Sequence, residues 1–183
     1  MKKPLIVAAM IAAAGAAVFG ATSIVSAQQS TQMTDAHMQR IQQNCGEALS
    51  TIQRLHTNDG PLRVNRGQSY DSISTKLMSR MNSRLALNKL DGSSLVKITA
   101  KYDQELAAFR TNYKKYDDQM SSILQIDCRR QPVSFYDAVN KARELREQVH
   151  QNTVILNKYI IEYETEFIAI KDQLVQKAGE ASE

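Results

Sequence analysis

The stretch from Leu95 to Ile123, LVKITAKYDQELAAFRTNYKKYDDQMSSI, decides the fold. Its large apolar seam is Leu95, Ile98, Tyr102, Leu106, Phe109, Tyr113, Tyr116, Met120 and Ile123, in steps of three and four. Such spacing places every one of them on a single stripe of an α-helix, close to a heptad seam. A strand would need a period of two, and no stretch of this chain sustains one.

Working outward, the same kind of seam recurs between turn signals. A first segment carries Met38, Ile41, Cys45, Ala48, Ile52 and Leu55; a second, looser one carries Tyr70, Ile73, Leu77, Met81 and Leu85. The last and longest runs from Ala138 through Leu145, Val149, Leu156 and Tyr163 to Leu174, with a polar interruption at Gln151-Asn152-Thr153. Asn58-Asp59-Gly60-Pro61, Asp91-Gly92-Ser93-Ser94 and Cys128-Arg129-Arg130-Gln131-Pro132 punctuate them. Thr34, Ser69, Ser93 and Ser134 stand where N-caps belong. The pattern predicts an all-α protein with helices over about 35–57, 69–90, 93–127 and 134–177, packed at coiled-coil angles.

Residues 1–27 carry a different signal. Lys2 and Lys3 precede an apolar run rich in Ala and Gly, and Val25-Ser26-Ala27 offers small residues to a signal peptidase. The segment is expected to be a cleaved export signal, with an uncleaved membrane anchor as its alternative. Either way residues 28–183 form one domain outside the cytoplasm, and a membrane enters only if the leader is retained. Lys and Arg number 23 against 19 Asp and Glu, and two of the lysines lie in the leader, so the rest is nearly neutral. Nothing in that balance points to nucleic acid. The absence of any Asn-x-Ser/Thr acceptor gives no support to a glycosylated surface and fits a bacterial envelope or secreted protein.

The two cysteines, Cys45 and Cys128, then constrain topology. From the turn at Asp91-Gly92 the third helix climbs ~53 Å to Cys128 and the second climbs ~33 Å. A first helix doubled back on the second would leave Cys45 only roughly 15–20 Å above the turn, too far below for a disulfide. A first helix continuing in line adds ~18 Å and brings Cys45 level with Cys128. That expectation is an elongated antiparallel bundle of three layers: a broken first arm of two helices, then two long helices, with one Cys45–Cys128 disulfide. The stretch from Asn58 to Gln68 must then be a loop that adds no height. Free thiols, or pairing between chains, are the other readings.

Chemistry is sparse. Glu147-x-x-His150 is the one arrangement with metal-site spacing, and the second pair that a di-iron bundle requires is missing. No nucleophile elbow, phosphate loop or Cys-x-x-Cys occurs, so neither catalysis nor a cofactor is expected. The same length arithmetic sets Arg63, Arg66, Lys114, Lys115, Arg143 and Arg146 at one height, a candidate belt for anionic wall polymer or lipid headgroups. Acidic neighbours such as Asp59, Asp117, Asp118 and Glu144 share that height. On the last helix Ile155, Ile161, Ile168 and Val175 widen the apolar stripe, which points to self-association or a protein partner along its distal half.

In outline, leader plus periodicity resembles exported coiled-coil proteins, periplasmic holdase chaperones among them. It departs from those chaperones in lacking strands to build a trimerisation body. The leading expectation is a non-enzymatic interaction or structural protein of the cell envelope or extracellular space. A polymer- or headgroup-binding protein ranks second, and a holdase or a metal-binding bundle third.

Overall fold

The computed structural model describes residues 33–180; the leader, 1–27, lies outside them. Within that range the chain is helical: α1 Asp35–Gln43, α2 Cys45–Ser72, a π-helix Ile73–Met78, α3 Ser79–Leu87, α4 Ser93–Ile123 and α5 Pro132–Glu180. The seam of α4 is the core, since all nine of its apolar residues are buried. Helix α4 is central, with α5 packed along one face and α2, the π-helix and α3 along another, while α1 packs on α5.

The arm runs antiparallel to α4, as the cysteines require. Cys45 is bonded to Cys128. Farther along, Arg63 Nη1 donates to Asp117 Oδ2 at 2.8 Å, the Tyr102 hydroxyl donates to the Tyr70 carbonyl at 2.9 Å, and Asn82 Nδ2 donates to Thr99 Oγ1 at 2.9 Å. An edge-to-face run of rings, Tyr70 on Phe109, Phe109 on Tyr113 and Tyr113 on Tyr116, lies between arm and core helix with centroids 5.5, 5.7 and 6.0 Å apart. Such pairs add to what area burial alone contributes.

The expected loop over Asn58–Gln68 is corrected: those residues are helix, inside α2, and Pro61 stands in its interior. Proline there removes one intrahelical hydrogen bond and crowds the preceding turn. Contacts with α4 outweigh that cost. Tyr113 donates its hydroxyl to the Asp59 carbonyl at 2.9 Å, and Tyr116 donates to Asp59 Oδ2 at 2.7 Å, two residues before the proline. The interruptions of the arm lie elsewhere. One is at Asn44, between α1 and α2, where the backbone N–H and Nδ2 of Asn44 both donate to the Arg40 carbonyl. The other is the π-helix, whose wider turns hold more residues and so gain less height per residue.

Other boundaries move for local reasons. Thr34 caps α1 as expected, its hydroxyl accepting from the His37 N–H at 3.4 Å. Ser69 is not a cap; it lies within α2 and donates to the Asn65 carbonyl. Helix α4 begins at Ser93, whose N–H is taken by Asp91 Oδ1. Helix α5 begins at Pro132, where the missing N–H costs nothing, so Ser134 falls inside the first turn. Cys128 lies beyond the end of α4, in a turn organised by Asp127 Oδ1, which accepts from the N–H groups of Arg129 and Arg130. The α3–α4 turn closes through Lys89, at φ 55°. There Lys89 N–H bonds the Ala86 carbonyl and Leu90 N–H bonds the Leu85 carbonyl, a Schellman pattern. Gly92 follows it in close packing: a Cβ there would meet Leu85 Cδ1 at 3.0 Å, so the Leu85 side chain would have to give by a few tenths of an ångström.

Candidate functional site

Two surfaces stand out. The first is a cleft. The arm and α5 each pack on α4 but scarcely touch one another along α2, whereas α1 reaches across to α5 at the disulfide end. The result is a trough of about 540 Å³. Its floor is Tyr116, Met120 and Ile123 of α4; its walls are Ile41, Ala48, Ile52 and Leu55 of the arm and Phe135, Val139 and Ala142 of α5. Arg143 and Arg146 stand on the α5 rim and Glu47 on the other. A second, smaller hollow of about 210 Å³ follows, sharing Tyr116 and Arg146 and adding Asp59, Arg66, His150 and Thr153. Burial pushes the phenol pKa of Tyr116 well above its ordinary value, and the hydrogen bond to Asp59 reinforces the shift.

Five of the six basic residues of the expected belt are divided between two separate hollows. Arg66, Arg143 and Arg146 border the α2–α5 cleft. Arg63 and Lys114 border the other, with Asp117 and Asp118. Arg63 is paired with Asp117, and lies 5.8 Å from the Tyr113 ring centroid; Lys114 is paired with Asp118 at 2.6 Å. Lys115 is exposed, and Arg143 donates to Asn140 Oδ1. His56 Nε2 lies 3.1 Å from the other oxygen of Asp117, so one carboxylate serves two basic side chains.

The second surface is the outer face of α5. Val154, Ile161, Ile168 and Val175 are 48, 63, 43 and 65 % exposed, although each is a large aliphatic. They recur every seventh residue. The sequence pattern puts Ile155 in this row; in the structure Ile155 is half-buried and Val154 takes its place. The polar layer behind them is fully bonded. Asn152 is buried, donating to Glu105 Oε1 at 2.6 Å and accepting from Asn112 Nδ2 at 2.9 Å, and Thr153 donates to the His150 carbonyl. Helix α5 therefore passes through Gln151-Asn152-Thr153 unbroken.

Glu147 Oε1 accepts from Gln151 Nε2 at 2.6 Å. No group of three or more His, Cys, Asp or Glu side chains among the described residues could hold a metal ion. No helix among them is long and apolar enough to cross a membrane. No family model, no curated protein and no solved structure matches this chain. The disulfide is the one compartment marker in the described structure, a bond characteristic of oxidising surroundings.

The cleft is what sequence reading missed. Met120 and Ile123 sit on the α4 seam and read as core, which they are, while also flooring an open trough. Periodicity records which face a helix buries and not how far apart its two neighbours stand.

Proposed function

We propose that this protein is an exported, non-enzymatic interaction protein of the cell envelope or extracellular space, which pairs with a partner helix along the outer face of α5. The observation that carries the reading is the exposed row Val154, Ile161, Ile168 and Val175. A straight α-helix drifts against a seven-residue repeat, so a strict repeat suits contact with a second helix that supercoils around it. Three of the four positions are flanked three residues on by Asn157, Glu164 and Lys171, which are polar. The row is thus half of a coiled-coil seam, suited to reversible rather than obligate pairing. The leader motif and the disulfide support the extracytoplasmic address. The polymer-binding alternative has less support, because the basic residues are split between separate hollows and two of them are already paired with aspartates.

Sedimentation of the chain over a wide concentration range tests this. Association that disappears in the Ile161→Glu/Ile168→Glu variant is expected, with stability changed by less than about 0.5 kcal/mol since both sites are exposed. A native chain that stays monomeric, and whose cross-linked partners are indifferent to that variant, sinks the reading.

A further inference from the structure

We infer that the α2–α5 cleft binds a single-chain amphiphile with an anionic head, the tail in the trough and the carboxylate or phosphate between Arg66 and Arg146. What carries the inference is segregation between two adjoining hollows that share Tyr116 and Arg146. The trough at the disulfide end has a mainly aliphatic and aromatic lining, with Glu47 and Arg143 at its rims, and a volume of about 540 Å³. That is within the ~300–1,000 Å³ typical of small-molecule sites. Its arm-side wall, from Ile41 to Leu55, extends over ~21 Å of helix, a length that suits an extended chain. Helix α1 bridges to α5 at the far end and stops the groove there.

The smaller hollow is mixed: Leu62, Phe109 and Val149 form its apolar part, and its charged groups are two guanidiniums, Arg66 and Arg146, against one carboxylate, Asp59. His150 also lines it. Asp59 already accepts from the Tyr116 hydroxyl. Neither Arg66 nor Arg146 takes part in an ion pair among the described residues. Guanidinium groups bind carboxylate and phosphate through paired, charge-assisted hydrogen bonds, so an anionic head completes what the protein leaves unpaired. Tyr116 and Arg146 border both compartments and mark the junction of tail and head. This site lies apart from the outer row of α5 and does not depend on it.

Displacement of a fluorescent fatty-acid probe from the folded, disulfide-bonded chain tests the inference. Palmitate and lysophosphatidate should displace it roughly tenfold more effectively than hexadecanol or lysophosphatidylcholine, since a charge-assisted pair is worth about that factor. Preference between the two anions identifies the head as carboxylate or phosphate. Arg66→Gln/Arg146→Gln should erase the preference and keep tail binding. Ala48→Phe should block the trough and lower affinity for every chain, while Ile161→Glu leaves binding unchanged. Equal displacement by neutral and anionic chains overturns the proposal, as does no binding at all. Displacement by an acidic amphipathic peptide and by no lipid would assign the cleft to a helical partner instead. The comparison of ligands on the native chain decides the matter even if a variant misfolds.

Discussion

Residues Tyr102, Tyr113, Tyr116 and Tyr163 bind the layers together through their hydroxyls, and the same placement makes the fold sensitive to alkali. Each is buried, each donates to an oxygen on the arm, and in each burial raises the phenol pKa above its usual value of 10.0. A raised pKa in the folded state means that the unfolded chain releases these protons first. The stabilisation is complete below the unfolded tyrosine value of 10.0 and is lost as pH climbs through the raised folded values. Denaturation midpoints should therefore hold steady from neutral pH upward and fall beyond that point, with tyrosinate absorbance growing as the helices melt. Tyr116→Phe should soften the alkaline loss yet cost about 1–2 kcal/mol at neutral pH, because the half-buried Asp59 side chain loses its donor. A midpoint that falls well before tyrosine ionises would assign the loss to other groups. Lys89 gives a second check at this scale. It holds φ 55° without being glycine, so Lys89→Gly should gain about 0.5–1 kcal/mol in thermal denaturation.

At the scale of elements, local signals located the helices by their apolar seams and the starts of α1 and α4 at Asp35 and Ser93. They misread the punctuation between Asn58 and Gln68 as a break. Gly60-Pro61 and Gly67 read as a loop because each disfavours helix, and intrinsic propensity is a weak determinant once tertiary contacts form. The bonds that overrule it, from Tyr113 and Tyr116 to Asp59, join positions far apart in sequence and leave no local trace. Because α2 is helical in spite of Gly60 and Pro61, relieving either should strengthen it. A methyl group on Gly60 would meet nothing within 4 Å, so Gly60→Ala should add about 0.5–1 kcal/mol. Pro61→Ala restores a donor to the ladder and should add up to ~3 kcal/mol, less whatever rigidity proline removes from the unfolded chain. Urea titrations of both variants decide this. Loss of stability in either would mean that the arm needs its break there, as the sequence alone implies.

For the whole molecule, one covalent fact carried more information than any seam. A disulfide can close only between residues at the same height, so Cys45 and Cys128 exclude a first helix folded back on the second. That conclusion survives although the loop invoked to make the heights agree is helix, because it rests on where Cys45 lies relative to the turn and not on how the chain gets there. The cleft depends on spacings between helices, which no heptad pattern encodes, whereas three of the four exposed α5 positions, Ile161, Ile168 and Val175, were legible as an apolar stripe wider than one seam. The bond also sets how the molecule should come apart. It closes a separation of 83 residues. Breaking it should cost about 2–4 kcal/mol, chiefly by freeing the unfolded chain. In the folded state its effect is local. Helix α1 is otherwise attached by Ile41 at the core edge and by Gln42 Nε2 donating to the Arg129 carbonyl at 3.0 Å. Helices α4 and α5 pack along most of their length without help from the cysteines. Hydrogen exchange of Cys45→Ser should therefore show α1 and the first turns of α2 opening early while α4 and the facing part of α5 keep their protection. Since α1 closes one end of the trough, the same variant should also weaken retention of an acyl-chain probe. Uniform loss of protection across all helices would instead mean that the disulfide holds the bundle together as a whole.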